Sequence, residues 1–304
     1  MRSEKRNINK WLRIPAICLT FLFFLSIGCE RWSDDIPNGT PTTPEGLVGE
    51  GWLLYEQGEY QEAVNTFNQA TKAVADELEA YLGMGYAFAQ LGELTRAKQN
   101  LNNVIGLIPV LVNAGRISSE LGESLNAEGN VGLASVNLAE RNYTEAVDFA
   151  RIALELNPNF IHRWIAGFDV VQLKLIMIEA YFGDGQYSAS MLLMDEITGD
   201  FISQFTQIES VIETQTVVLL EDTWATGVAQ LTLNNMNLIY PAVILDADGK
   251  EVEVVSYETT MNIVLFRANP IPQNGDQYTV TYLYAHDFGQ FLIEMRQAIE
   301  ALRN

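Results

Sequence analysis

The sequence predicts a mainly α-helical chain, built as a stack of helix pairs, that continues into a small antiparallel β-sandwich and ends in one further helix. Three observations predict it. The glycines of two turn-like segments, Gly58-Glu59-Tyr60-Gln61-Glu62-Ala63 and Gly92-Glu93-Leu94-Thr95-Arg96-Ala97, lie 34 residues apart, each between helical patterns. Near Phe205 the apolar spacing changes from helical to a two-residue alternation. After Asp287 a helical stripe returns, formed by Phe288, Phe291, Leu292, Met295, Ile299 and Leu302.

Bulk composition narrows the function classes. The chain has 304 residues, 48% of them apolar, enough for well-filled cores and room for two domains. Residues 1–28 hold five basic residues and one acidic, which leaves 13 basic against 38 acidic residues beyond them, a net charge of −25. Such a surface repels phosphate backbones and anionic headgroups, so nucleic-acid binding and basic-patch membrane attachment are both excluded.

The N-terminus reads as an export signal. Met1 to Arg13 is a basic leader, and Ile14 to Leu25 is an apolar run too short for a stable spanning helix. The run ends in Leu25-Ser26-Ile27-Gly28-Cys29, which resembles the lipobox of bacterial lipoproteins, with Ser26 where that pattern usually has Leu. The resemblance implies removal of residues 1–28 and acylation of Cys29. Two or three acyl chains, at roughly 0.8 kcal/mol per buried CH₂, would anchor a soluble domain firmly. The alternative is an ordinary secretory signal with a chance cysteine. Cys18 lies in the removed segment, so no internal disulfide can form. Residues 29–44, rich in Pro, Thr and Asp, read as a flexible tether. Glu30 follows the cysteine where Asp would imply inner-membrane retention, which favours the outer membrane and its periplasmic face.

Residues 45–205 carry the helix pairs. In the first, Leu47, Gly51, Leu54, Gly58, Tyr60, Ala63, Phe67 and Ala70 fall at regular places; in the second, Tyr81, Met84, Gly85, Phe88, Gly92, Leu94, Ala97, Leu101, Val104 and Pro109. Small residues stand where paired helices approach closely, and aromatics where neighbouring helices leave space. This resembles the tetratricopeptide repeat (TPR), a helix–turn–helix unit whose stacking gives an α-α superhelix. A third unit runs through Leu133, Ala134, Tyr143, Ala146, Ala150, Ala153 and Pro158, with Arg141-Asn142 in place of the glycine turn. A fourth includes Met177, Tyr181, Gly185, Tyr187, Ser190, Met194 and Ile197, with a long first helix expected over 161–182. Between the second and third, Val110 to Leu125 reads as an insertion of about fifteen residues, with a short helix near Ser118–Leu121.

The resemblance implies a concave groove lined by the first helix of each repeat. Carried over by position, its partner-binding residues are Trp52, Tyr55 and Glu56, then Glu79, Tyr86 and Gln90, then Ser135, then Glu179 and Phe182. Glu45, Val48, Leu82, Val131, Leu138 and Leu175 line the same face. Aromatics flanked by carboxylates suit an apolar or basic extended segment. The Lys/Asn clamp that some members use on a C-terminal carboxylate is missing, since Val48-Gly49 and Leu82-Gly83 stand there. The alternative for Trp52 and Tyr86 is plain packing against the next repeat.

Residues 206–286 read as six short strands: Thr214–Leu220, Val228–Leu233, Leu238–Leu245, Glu251–Tyr257, Asn262–Arg267 and Gln277–Ala285. They argue an immunoglobulin-like sandwich, or a partly open sheet. Asp246-Ala247-Asp248-Gly249-Lys250 reads as a hairpin turn rather than a Ca²⁺ loop, because a strand follows where further ligands would be needed. Residues 287–304 form an amphipathic helix, expected to pack back on the repeats or the sheet, or else to dock a partner.

No catalytic motif surrounds His162 or His286, and the scattered carboxylates nominate no acid/base pair, metal site or cofactor. The sequence therefore predicts a non-enzymatic, lipid-anchored interaction scaffold for envelope proteins with apolar or basic segments. The alternative is a module that binds glycan or peptide through its β domain, with the repeats as a spacer.

Overall fold

A computed structural model describes residues 43–199, 205, 208–220, 226, 228–234, 238–258 and 263–303. The signal segment, Cys29 and the tether lie outside the described residues. Among the described residues, eight helices come first: α1 (Pro44–Glu56), α2 (Tyr60–Ala73), α3 (Leu78–Gln90), α4 (Leu94–Asn113), α5 (Ser119–Glu140), α6 (Tyr143–Leu156), α7 (Val170–Gly183) and α8 (Tyr187–Thr198). Seven strands are described after them: β1 (Ile208–Thr216), β2 (Val218–Leu219), β3 (Val228–Thr232), β4 (Leu238–Leu245), β5 (Glu253–Glu258), β6 (Ile263–Arg267) and β7 (Gln277–Ala285). The helix α9 (Phe288–Arg303) ends the described chain.

The glycine turns are what the spacing predicts. Gly58, Gly92 and Gly185 all adopt positive φ, at 82°, 75° and 79°. In the third unit Arg141 takes that place and the same left-handed conformation, with φ 64°. Close approach explains the helical glycines. The Phe67 ring of α2 sits between Gly51 of α1 and Gly83 of α3, so that a Cβ on either glycine would overlap it. One repeat later, Leu101 of α4 sits in the same way between Gly85 of α3 and Gly132 of α5. In the third unit the equivalent positions are Ala150 and Ala134, both fully buried in one core.

Two expectations in the helical part are corrected. The fifteen-residue insertion is no separate segment. It is absorbed as extra turns of α4, which runs to 20 residues with Pro109 inside it, and of α5, which runs to 22. Ser118 caps α5 by accepting from the Leu121 N–H at 3.1 Å, so the short helix expected there is the first turn of a long one. The second correction is larger. No helix starts at Ile161; α7 begins at Val170, because Asp169 and Gln172 form a reciprocal capping box. Residues 157–169 are instead a loop, closed at its neck by an antiparallel bridge between Ile161 and Asp169.

The strands form two antiparallel sheets, ordered β1-β7-β4 and β2-β3-β6-β5. β1 starts earlier than expected and separates from β2 only at Val217, so one stretch of chain serves both sheets. Leu231, Val264, Phe266, Tyr278, Val280 and Tyr282 fill the space between them, with Phe266 and Tyr278 rings 4.7 Å apart. The Asp246 carboxylate accepts from the N–H groups of Asp248 and Lys250, at 3.0 and 2.9 Å, closing the turn with Gly249 at φ 76°. The opposite face of β7 turns toward the helices. Leu283 and Ala285 join Phe205, Phe291, Met295 and Ile299 in a core shared with Leu175, Ile178, Met191 and Met194 of α7 and α8. The stripe of α9 is therefore buried within the chain, against the fourth repeat.

Candidate functional site

The first helices of the repeats, α1, α3, α5 and α7, lie side by side. Repeat spacing aligns two rows across the first three. Glu45 and Glu79, near the starts of α1 and α3, and Glu128, midway along α5, form a row of carboxylates, and Trp52, Tyr86 and Ser135 form a second row two turns on.

The loop between α6 and α7 reaches into this face. Its Trp164 stacks on Trp52 with ring centroids 5.7 Å apart and planes 4° from parallel. His162 meets Tyr86 edge-on at 4.9 Å and Trp52 at 5.8 Å. Arg163 spans the carboxylate row. Its Nε and Nη2 donate to the two oxygens of Glu128 at 2.9 and 2.8 Å, while Nη1 donates to Glu79 at 2.8 Å. The Arg163 amide N–H also donates to Glu128 Oε1 at 3.1 Å. Glu128 is 1% exposed, so its charge is tolerated there because the guanidinium meets it in a two-pronged geometry. Burial opposes the charge of Arg163, but the hydrogen bonds and charges of Glu128 and Glu79 outweigh it and hold its pKa above the ordinary range. Tyr86 completes the cluster by donating its hydroxyl to the Glu128 carbonyl at 2.9 Å.

His162 organises the loop from inside. Its Nδ1 accepts from the backbone N–H groups of Trp164 and Ile165, each at 3.1 Å, and its own backbone N–H donates to the Phe168 carbonyl at 2.8 Å. Burial first, and the adjacent charge of Arg163 second, lower its pKa to about 3. The ring is neutral and serves as a turn-former. Phe160 and Phe168 anchor the base of the loop in the core of α5, α6 and α7, whereas Trp164 packs on the core of α1 to α5.

The residues assigned to the groove from sequence thus divide. Trp52, at 2% exposed, and Tyr86, at 6%, lie beneath the loop, and Glu79 is bound by it. Tyr55 is buried, accepting from Gln90 Nε2 at 3.2 Å, and burial foremost raises its pKa. Ser135 donates to the carbonyl of Val131 in its own helix at 3.0 Å. On α7, Glu179 pairs with Arg303 of α9 at 2.6 Å and Phe182 packs into the core that α9 closes. Glu45 and Glu56 remain exposed at the first repeat. Sequence reasoning missed Glu128, Arg163 and Trp164, and it read His162 as the start of a helix. The signal available was Asp169 with Gln172, a helix-start signature that frees the preceding residues from α7.

One family model agrees with the repeat assignment over part of the helical chain. The tetratricopeptide repeat family model matches residues 48–99. No curated protein matches the chain. Among solved structures, the chain is similar to MamA 41-end from Desulfovibrio magneticus RS-1, at 16% identity over 54% of this chain and 78% of that one, with TM-score 0.39. It is also similar to TTC0263, a thermophilic TPR protein in Thermus thermophilus, at 18% identity over 52% and 74%, with TM-score 0.36. These likenesses are low, and the assignment rests on the family match and on the geometry of α1 to α4. The helical part of this chain thus matches the tetratricopeptide repeat family over residues 48–99, within α1 to α4.

Proposed function

We propose that the protein is a non-enzymatic scaffold, lipid-anchored through Cys29 to the bacterial outer membrane on its periplasmic face, that gathers exported proteins on its repeat surface. Tetratricopeptide repeats generally serve as protein-interaction scaffolds. The single observation that carries the reading here is the pairing of a carboxylate row on α1, α3 and α5 with the aromatic rings of Trp52 and Tyr86 on α1 and α3, a face that takes an extended segment bearing a cation and an aromatic ring. Segments of that composition are the apolar or basic ones that the acidic chain favours.

Crosslinking the full-length protein in its native envelope tests this. The partners captured by the unaltered chain should be lost from a Glu45→Lys/Glu56→Lys variant, whose exposed charges are reversed without touching the core. Recovery of the same partners from both would overturn the assignment to this face. The anchor is tested separately by incorporation of labelled fatty acid, which Cys29→Ser should abolish.

A further inference from the structure

We infer that residues 162–165 are a resident stand-in for the partner, so that the groove of the first three repeats is self-occluded and opens when a segment bearing an arginine next to an aromatic residue displaces the loop tip. The inference rests on the scaffold reading and names its ligand class and its regulation.

Three features of the loop support exchange rather than permanent closure. Its base and its tryptophan are held in different cores: Phe160 and Phe168 bury with α5 to α7, while Trp164 packs against the core of α1 to α5, with Ile165 between the two. The loop keeps its own shape, through the Ile161–Asp169 bridge and the two N–H groups donated to His162 Nδ1, so the tip can leave without unravelling the neck. Every polar side-chain contact of Arg163 is to the carboxylates of Glu79 and Glu128, on other helices, and none is within the loop.

The same geometry dictates what replaces it. With the tip withdrawn, Glu128 is a carboxylate deep in the groove floor without its counter-charge, a costly state that a guanidinium relieves and an aliphatic segment does not. Arginine suits this better than lysine, because Glu128 and Glu79 together take three N–H groups of one planar fork. The Trp52 face then selects an aromatic residue beside it.

The test uses the full chain and, as probe, a blocked synthetic peptide of residues 159–169. An Arg163→Ala/Trp164→Ala variant should bind the peptide in trans at least ~10-fold more tightly than the unaltered protein does, since a site open in under a tenth of molecules loses affinity in that proportion. The same peptide with alanine at its arginine and tryptophan should bind the variant ~10-fold or more weakly. Binding to neither protein, or equal binding to both, overturns self-occlusion. Hydrogen exchange on the unaltered protein covers the case of a variant that fails to fold. The Arg163 amide, which donates to Glu128 Oε1 and is freed when the tip leaves, should exchange well before those of α3, and its exchange only on global unfolding overturns the proposal. The two readings fail separately. Peptide binding to the variant without any envelope partner sinks the scaffold alone, and partners held equally by both proteins without peptide binding sink the occlusion alone.

Discussion

His162 makes the docked loop sensitive to acid. Its ring is 4% exposed, with Nδ1 committed as acceptor to two backbone N–H groups, so a proton on that nitrogen would break both bonds and place a cation beside Arg163. With its folded pKa lowered to about 3 and an unfolded value of 6.5, the unfolded chain binds more protons everywhere between those limits. Stability from this group is therefore complete above about pH 6.5 and is lost as pH falls toward 3. At pH 5 the loss is about 2 kcal/mol, the 1.5-unit gap below the unfolded value at 1.36 kcal/mol per unit, and it is insensitive to the folded value so long as that lies well below 5. The comparison is with His162→Asn, whose amide oxygen offers an uncharged acceptor for the same two N–H groups. Urea unfolding of both proteins at pH 8 and pH 5 isolates the histidine, because the carboxylates and His286 are common to both. The unaltered protein should lose about 2 kcal/mol more than the variant between the two pH values. An equal loss in both would refute the buried, neutral histidine and the loop geometry built on it.

Other perturbations follow from the packing. Gly83→Ala and Gly106→Ala both remove a helical glycine, worth about 1 kcal/mol in favour of alanine, but a Cβ on Gly83 meets the Phe67 ring while Gly106 faces open space. Thermal unfolding should show Gly106→Ala stabilised by about 1 kcal/mol and Gly83→Ala destabilised by about 1–3 kcal/mol, with Phe67→Leu relieving part of the second effect. Arg141→Gly removes a side chain from a left-handed turn and should stabilise by about 0.5–1 kcal/mol, read in the urea midpoint. Phe291→Ala opens the core shared by α7, α8, α9 and β7, where the ring is fully buried, and should cost about 3–5 kcal/mol in chemical unfolding.

The repeats were legible in the sequence because their determinants are local and periodic. Gly51, Gly85, Ala63 and Ala97 recur at fixed spacing wherever two helices nearly touch, and Gly58 and Gly92 mark turns that need positive φ. The alternation of Tyr278, Val280 and Tyr282 likewise marked β7 as a strand, though the burial of Leu283 and Ala285 on its other face came only with the fold. A stripe on α9 announced burial without saying against what. Tertiary structure alone decided the state of the groove. Trp52 and Trp164 are 112 residues apart, and no spacing rule relates them. Arg163 reads as an ordinary surface cation until the fold sets Glu79 and Glu128 on neighbouring helices within reach of one guanidinium. Periodicity reports what each residue does for its own helix. Which surface a loop covers depends on where the stack places it, and only the assembled superhelix carries that information.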